Sequence, residues 1–442
     1  MHEKIFAHTD KSFYIAGETI WLKTYVVYAA SHQPADLSKV VYVELLDATS
    51  KPVLQTKLQA KSGHASGSLL LPAALPTGNY ILRAYTMWMQ NFDPQFFFAE
   101  KITVVNSFNR PDWPKLQADR KYSIELFPEG GHLVYGLENT VAFRIKNNDG
   151  SWLAANGFLL NRNNDTLANL ESNTFGLGKF RFIPDESTSY KVIFPVGHNE
   201  ILSQSIDSID HKGYVMQLTR SGEDQLSVKV TTTNANVRES VYLLVHTRQR
   251  VKKVQASILE NGSADFLINE RELGEGVSHI TVFNTERQPV CERIYFLHPS
   301  KAGIASISSN KNVYGLRDQV NLRLQLGVPA QPSGARLSMT VFRLDSLNRS
   351  ASKNISTYLW LQSDLGNDGE LYKDFVLDSH NDTVVDLLMM TSGWRRYKWA
   401  DVLNNKTPVI SFLPEYEGHL IRARISNMPG AERSVSGYLS IP

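Results

Sequence analysis

Residues 134–143 read VYGLENTVAF and residues 313–322 read VYGLRDQVNL, so one short string occurs twice with few changes. A looser copy lies at 13–22, FYIAGETIWL, and its wider context DKSFYIAGETIWL matches NKNVYGLRDQVNL at 310–322 position for position. Self-similarity at separations near the length of a small domain is typical of a tandem array. The repeat therefore predicts several copies of one small domain along this chain.

Each copy of the repeat predicts a turn that leads into a strand. A Tyr and a Gly precede a turn that carries an acidic residue, namely Glu18, Glu138 or Asp318. Apolar residues then alternate with other residues, as Ile20 and Leu22 do, and a period of two indicates a half-buried strand. Glycine supplies the backbone freedom that such turns need. We interpret the repeat as structural, an early strand of a β-sandwich.

The composition predicts globular domains. A chain of 442 residues with 42% hydrophobic residues is long enough for three to five of them. A net charge of +2 gives no electrostatic reason to expect a nucleic-acid partner, and Cys291, the only cysteine, excludes an intrachain disulfide. No apolar run reaches the ~18–20 residues of a membrane-spanning helix. The start MHEKIFAHTDK fits a mature start after removal of a targeting sequence, and it fits a cytosolic protein equally well.

Turn signals divide the first two thirds of the chain into units. Short alternating runs in residues 1–106 predict an immunoglobulin-like sandwich. Residues 107–120 contain two prolines and no alternation, so they predict a linker. Residues 121–197 and 214–299 predict two further sandwiches, with strong hairpin signals at Asn-Asp-Gly and Asn-Gly.

The fourth unit, residues 300–417, departs from this pattern. Residues 336–344, RLSMTVFRL, still alternate and predict a strand, but residues 350–405 lose the alternation and predict a mainly helical insertion. Asp382 can cap a helix over TVVDLLMMTS that is apolar on nearly every side and therefore buried. WRRYKWADVL and KNISTYLWLQSDL predict further short helices. Residues 418–442 predict strand, turn and strand, the start of another sandwich in a longer chain.

Several strings together resemble a known family. DKSFYIAGETIWLKTYVV, followed by LPTGNYILRAYTMWMQNFD, resembles the MG2-type domain of the alpha-2-macroglobulin superfamily, in the version found in large Bacteroidetes-type envelope proteins. LFPEGGHLVYGLENTVAF and DLLMMTSGWRRYKWADVL are similar to later segments of those proteins. The Phe-Pro-Glu-Gly-Gly and Gly-Trp-Arg-Arg-Tyr strings are the more distinctive ones. The resemblance covers nearly the whole chain.

This resemblance implies a row of macroglobulin-like sandwiches that is exported to the periplasm, the outer membrane or the cell surface. In such proteins a carboxypeptidase-regulatory-like sandwich, and sometimes a TonB-receptor plug-like domain, follows the row. True macroglobulin inhibitors join a cysteine thiol to a glutamine carbonyl within Cys-Gly-x-Gln. Here the only cysteine lies in PVCER at 289–293, so no thioester can form within these residues. Covalent trapping of a protease is therefore excluded for this chain.

The residues indicate no catalytic, cofactor or metal site. The histidines are scattered without metal-ligand spacing, and neither a Gly-x-Ser-x-Gly elbow nor a Gly-x-x-x-x-Gly-Lys loop occurs. A loop at 364–375 imitates an EF-hand, but its third and twelfth positions, Gly366 and Phe375, cannot supply carboxylates. We interpret the acids of this region as solvated loop and helix-cap residues; they are Asp364, Asp368, Glu370, Asp374, Asp378, Asp382 and Asp386.

Two groups of aromatic and basic residues are candidate contact surfaces. The three phenylalanines at 96–98 open the predicted strand FFFAEKITVV, so Phe96 and Phe98 share one face and Phe97 takes the other. Packing between domains is the favoured interpretation, and an external ligand or partner is the alternative. The candidate residues are Trp88, Phe92 and Phe97 in the first group, and Trp394, Arg395, Arg396 and Trp399 in the second.

The sequence thus predicts a non-enzymatic binding or scaffold segment of an exported envelope protein, linked to outer-membrane transport or surface assembly. It predicts a protein partner in the envelope, no nucleic acid and no membrane-spanning segment. Two alternatives stay open. A thioester-independent protease-interacting protein predicts first cleavage within 350–380, and a carbohydrate-binding module predicts a glycan site at Trp88.

Overall fold

The structure is a computed structural model, and it describes residues 2–108, 122–147, 151–196, 200–234, 238–299, 305–326, 336–343, 354–365, 382–392, 399–404, 406 and 409–419. The fold is all-β, with tandem immunoglobulin-like sandwiches and helices in the fourth unit, as the sequence predicts. In the described part of the chain, no helix combines the length and the apolar character that crossing a membrane requires.

Sandwich 1 spans residues 3–105. Its sheets have the strand orders β1-β3-β6 and β2-β8-β7-β4-β5, and buried side chains alternate along β3, where Ile20 and Leu22 face the core. The strands are β1 (Glu3–Thr9), β2 (Phe13–Ile15), β3 (Thr19–Tyr28), β4 (Val40–Leu46), β5 (Pro52–Gln59), β6 (His64–Leu70), β7 (Gly78–Tyr85) and β8 (Phe98–Val105).

Sandwich 2 spans residues 122–206, with sheets β13-β10-β9 and β12-β11-β14-β15. Its strands are β9 (Tyr122–Pro128), β10 (Asn139–Asn147), β11 (Asn156–Asn161), β12 (Thr166–Glu171), β13 (Leu177–Phe182), β14 (Tyr190–Val196) and β15 (Glu200–Ile206). Sandwich 3 spans residues 214–297, with sheets β16-β17-β20 and β19-β18-β21-β22. Its strands are β16 (Tyr214–Arg220), β17 (Gln225–Thr232), β18 (Ser240–Thr247), β19 (Arg250–Ile258), β20 (Ser263–Asn269), β21 (Gly276–Phe283) and β22 (Pro289–Leu297).

The described part of the fourth unit contains the hairpin β23 (Ala305–Ser309) and β24 (Leu322–Leu326), followed by helices α1 (Ile355–Trp360), α2 (Asp382–Thr391) and α3 (Trp399–Leu403). The prediction of a strand at 336–344 is wrong for the described residues 336–343, because they have no strand conformation. Side chains of sandwich 1 hold this segment: Lys23 donates to the Leu337 carbonyl at 2.8 Å, and Tyr25 donates to Ser338 at 2.8 Å. These side-chain bonds position the segment against sandwich 1.

The prediction that three phenylalanines share a strand is also wrong. Pro94–Phe96 is a short 3-10 helix that Asp93 caps, because its carboxylate accepts the N–H of Gln95. Phe97 follows this turn, and β8 begins only at Phe98. Proline at the first helical position favours the turn, since its missing N–H would have no partner there.

The repeat copies at 13–22 and 313–322 share an internal hydrogen bond. The Tyr14 hydroxyl donates to Asp10 at 2.6 Å, and the Tyr314 hydroxyl donates to Asn310 at the same distance. The string at 310–322 therefore builds the same turn as the string at 10–22.

The acid of the turn differs in the second copy. Glu18 and Asp318 accept backbone N–H groups of their own turns, at 2.8 and 3.0 Å. At the equivalent position the second copy has Asn139, which bonds the backbone of its turn, whereas Glu138 accepts a bond of 2.9 Å from Gln217 of sandwich 3. The prediction of Glu138 as the turn acid is therefore wrong by one position.

The helices of the fourth unit pack back onto the earlier sandwiches. Tyr358 of α1 is 6% exposed and enters the core of sandwich 1, where its ring lies 5.6 Å from Phe6 and 5.3 Å from Phe98. Helix α2 lies between sandwiches 2 and 3, and its apolar residues join Leu177 and Phe296 in one buried cluster. Strand β10 is buried along nearly its whole length because α2 covers the outer side of its sheet.

Candidate functional site: the Arg293 junction

The Phe-Pro-Glu-Gly-Gly string forms a turn between two sandwiches. Gly130 has a φ of +85°, a conformation that favours glycine, and its carbonyl accepts the Glu292 N–H of β22 at 3.1 Å. A Cβ at Gly130 would lie 3.0 Å from the Met216 Cβ and 3.4 Å from the Cys291 Cβ. The glycine thus lets the backbone of sandwich 2 approach β22 closely.

Next to this contact, Arg293 joins three parts of the chain, and we call Glu129, Arg293 and Asp386 the Arg293 junction. Arg293 is 4% exposed, and its Nε donates to Glu129 at 3.2 Å. Its Nη1 donates to the Ile294 carbonyl at 2.7 Å, and its Nη2 donates to Asp386 of α2 at 2.5 Å. Glu129 also accepts the Leu218 N–H of β16 at 3.0 Å. One guanidinium therefore ties sandwich 2, sandwich 3 and the helical segment together.

The charges at the junction reinforce each other. Asp386 also accepts a bond of 3.0 Å from Lys179 of β13. Burial alone would raise the pKa of Asp386, but the positive charges of Arg293 and Lys179 outweigh burial and hold that pKa below its ordinary value. Asp386 is therefore ionised at neutral pH, and losing it would leave Arg293 buried with one carboxylate fewer.

A cavity of about 240 Å³ lies on one side of the junction. The rings of His246 and His279 stack along its wall, with centroids 4.7 Å apart. The Trp399 indole N–H donates to Glu292, and the Trp399 ring meets Phe283 edge-on at 5.0 Å. Trp399 belongs to the string DLLMMTSGWRRYKWADVL, whose Gly-Trp-Arg-Arg-Tyr part lies outside the described residues. The Phe-Pro-Glu-Gly-Gly string and described residues of DLLMMTSGWRRYKWADVL line the same cavity.

Trp399 accordingly packs on sandwich 3, in line with the favoured interpretation of helix-to-sandwich packing. Trp394, Arg395 and Arg396 lie outside the described residues. The first group of candidates lies on another sandwich, so the two groups do not form one surface.

Trp88, Phe92 and Phe97 are half-buried on sandwich 1. The ring of Trp88 meets Phe92 edge-on at 5.8 Å, and Phe97 stacks on Tyr85 at 4.7 Å. Beside Trp88, the Asn91 side chain bonds the backbone of residues 411–412, which come from the far end of the chain. The contacts of this group are therefore intramolecular.

The exposed tryptophan of sandwich 1 is Trp21, which is 61% exposed on the outer face of β3 and was not among the sequence candidates.

The interpretation of the acids as solvated is wrong for two of them. Asp364 is 5% exposed and forms a 2.8 Å ion pair with Lys4 of β1, and Asp386 belongs to the Arg293 junction. Asp382 remains exposed, and it pairs with Arg220 at 2.8 Å. The partners are far away in the sequence, so local composition carried no signal for these contacts.

Within the described ranges, no group of three or more His, Cys, Asp or Glu side chains could hold a metal ion. The site offers hydrogen bonds, buried charge pairs and apolar packing between parts of the chain. These interactions hold elements in place.

No family model and no curated protein matches this chain. Among solved structures, Escherichia coli alpha-2-macroglobulin in its native conformation matches at 13% identity and a TM-score of 0.20, over 73% of this chain and 25% of that one. Dimeric latent PorU from Porphyromonas gingivalis matches at 11% identity and a TM-score of 0.29, over 66% of this chain and 33% of that one. The chain thus spans between a quarter and a third of the length of these two structures.

Proposed function

We propose that this chain is a non-enzymatic scaffold segment, in which the helical segment holds the sandwiches in one fixed array. The Arg293 junction is the observation that carries this proposal, because one buried guanidinium bonds to sandwich 2, to its own sandwich 3 and to α2. A scaffold needs its surfaces at constant distances, and buried charge pairs with full hydrogen bonding favour one relative placement over others.

The helical segment reaches sandwich 1 as well. Leu361 directly follows α1, and both Leu361 and Leu365 are buried in the same cluster as the apolar residues of α2. Tyr358 enters the core of sandwich 1, and the Lys4–Asp364 ion pair lies beside it. These contacts support a segment that links all three sandwiches.

We further propose that the array belongs to an exported envelope protein, where it positions a protein partner for outer-membrane transport or surface assembly. The strings LFPEGGHLVYGLENTVAF and DLLMMTSGWRRYKWADVL support this placement, since they resemble segments of envelope proteins of the Bacteroidetes type. Fractionation of cells with an antibody against the chain tests the location. Recovery in the cytosolic fraction alone would contradict it.

Asp386→Ala tests the scaffold proposal directly. Removing one partner of a buried pair costs about 3–5 kcal/mol, and we expect the lower end because the Asp386 side chain is 30% exposed. Small-angle X-ray scattering should then report a larger radius of gyration, while far-UV circular dichroism keeps its β signal.

Asp401→Ala is the matched control, since Asp401 lies on α3 and, among the residues that the structure describes, its carboxylate pairs with the exposed Lys406 alone, at 3.2 Å. Its scattering curve should match that of the unmodified protein. An unchanged curve for Asp386→Ala, with α2 shown by hydrogen exchange to be released, would refute the scaffold proposal.

A further inference from the structure

A second cavity, of about 440 Å³, lies on the other side of the Arg293 junction. Its walls come from β10 and β13 of sandwich 2, from β16 and β22 of sandwich 3, and from α2. This volume is within the range of roughly 300–1,000 Å³ that small-molecule sites occupy. The cavity is therefore large enough for a ligand of more than a few atoms.

The cations along this cleft differ in how they are paired. Lys179 bonds to Asp386 at 3.0 Å, and Arg220 bonds to Glu270 and to Asp382, each at 2.8 Å. Arg181 of β13 is exposed and forms no ion pair with any residue that the structure describes. The carboxylates of the cleft are thus already engaged, and one guanidinium is left to bind an anion from outside.

A buried hydroxyl lies next to this guanidinium. Thr140 of β10 is the residue directly opposite Arg181 in the antiparallel pair, and it also lines the cleft. Thr140 is 3% exposed, and within the described part of the chain its Oγ1 has no hydrogen-bond partner. Buried polar groups in folded proteins almost always have a hydrogen-bond partner. An unbonded hydroxyl beside a cavity therefore indicates that a ligand could supply the missing partner.

Part of the wall is apolar. Leu218, Leu226, Phe296, Val385 and Met389 line the cleft together with the polar residues. A ligand that fills it must therefore carry an anionic group at one end and an apolar body at the other. Phosphate alone would leave the apolar wall uncovered.

We infer that this cleft binds organic carboxylates with an apolar body, such as a free aryl acid or the C-terminus of a peptide that ends in an apolar residue. The planar guanidinium of Arg181 can hold a carboxylate through two parallel hydrogen bonds, and the Thr140 hydroxyl supplies a third donor. The apolar body lies against the half-buried side chains of Leu218 and Leu297. This inference rests on the proposed function, because the cleft exists only while sandwich 2, sandwich 3 and α2 keep the placement that the scaffold proposal gives them.

Isothermal titration with N-acetyl-L-phenylalanine tests the inference on the full chain. We expect saturable one-to-one binding, at least tenfold weaker binding of N-acetyl-L-phenylalaninamide, and no competition by inorganic phosphate at equal concentration. N-acetyl-Ala-Ala-Phe and 3-phenylpropionate separate the two sources. Tighter binding of the peptide supports a peptide C-terminus as the natural ligand, and equal binding supports a small free acid.

Substitutions then locate the site. Arg181→Gln should weaken binding of N-acetyl-L-phenylalanine at least tenfold, whereas Arg162→Gln, a change in an exposed turn of sandwich 2, should leave it unchanged. Thr140→Val keeps the shape and removes the unbonded hydroxyl, so it should weaken binding severalfold while the thermal midpoint stays equal or rises.

Absence of saturable binding by both acids would overturn the inference, and so would undiminished binding by Arg181→Gln. Equal binding of the acid and the amide would overturn it too, because the carboxylate would then have no role. Scattering of the unmodified protein reports the array whether or not a ligand binds, so a failed ligand site in an intact array is distinguishable from a failed scaffold.

Discussion

At the scale of single residues, one tyrosine hydroxyl accounts for much of the sequence repeat. Tyr14 is fully buried, and its hydroxyl donates to Asp10, whose carboxylate also accepts the Trp21 N–H at 2.9 Å. Because Asp10 and Trp21 lie at the two ends of the turn, this carboxylate closes the loop that leads into β3. At Tyr14 and Tyr314 the recurring Tyr is therefore needed for its hydroxyl as well as for its ring.

Tyr14→Phe should lower the free energy of unfolding by about 1–2 kcal/mol, because the Asp10 carboxylate loses a donor inside the protein. Urea denaturation of the full chain measures this change. Tyr135→Phe is the control at the matching position of the second copy, since within the described residues the Tyr135 hydroxyl makes no hydrogen bond. It should change stability by less than about 0.5 kcal/mol. If both variants lose the same free energy of unfolding, the hydrogen bond to Asp10 is not the cause, and the prediction for Tyr14→Phe is wrong.

The residue scale also shows where sequence reasoning reaches its limit. Alternation correctly predicted Ile20 and Leu22 as core residues, because a strand face repeats every second residue whatever its partners are. It could not separate Glu138 from Asn139, because both are polar and adjacent, and only hydrogen bonding distinguishes the turn residue from the one that bonds Gln217.

At the scale of elements, the local sequence of α2 predicts that it is a helix, but it does not predict where in the fold this helix lies. Most residues of α2 are themselves buried, as the apolar run TVVDLLMMTS indicates, and Asp382 is the first residue of the helix. Its charged partners Arg293 and Lys179 lie 93 and 207 residues away in the sequence. No local pattern encodes such a contact, so the sequence predicted a buried helix and left open what buries it.

Met389→Ala tests how strongly α2 is held. Met389 is 2% exposed within the cluster that joins sandwiches 2 and 3, and truncating a buried Met costs about 2–5 kcal/mol. Hydrogen exchange of the α2 amides should therefore accelerate by more than tenfold. Val402→Ala on α3, where Val402 is 46% exposed, should change little. Unchanged exchange in Met389→Ala would mean that α2 is held by its charges alone.

At the scale of the whole molecule, sandwiches 1 and 3 meet through the helical segment. The His32 ring of sandwich 1 meets Trp360 edge-on at 4.5 Å, and Arg248 of sandwich 3 lies 4.7 Å from the centroid of the same indole. The Lys4–Asp364 pair lies close by. Both ring nitrogens of His32 are buried and, among the residues described, have no hydrogen-bond partner. A charge on this ring would therefore be placed beside two cations.

This environment makes the contact sensitive to acid. Burial is the main cause that lowers the pKa of His32; together with the charges of Lys4 and Arg248, and against the opposing charge of Asp364, it brings this pKa to about 3. An unfolded histidine titrates near pH 6.5, so below that pH the unfolded state binds the proton more tightly. The contribution of His32 is complete above about pH 6.5 and declines as the pH falls toward 3. Asp386, with its pKa held low, keeps its contribution until the pH falls below about 4.

Acid should consequently loosen the array in two stages, first between sandwiches 1 and 3 and later at the Arg293 junction. Scattering or spin-label distances at pH 7, 5 and 3.5 can follow both stages. His32→Phe keeps a ring against Trp360 and cannot be protonated, so it should abolish the stage between pH 6.5 and 4 and leave the more acidic one. His132→Gln, a change at an exposed site, should preserve both stages.

If the first stage persists in His32→Phe, a group other than His32 controls the contact between sandwiches 1 and 3. Glu3 cannot be that group. Burial raises the pKa of Glu3, so its protonation in acid favours the folded state.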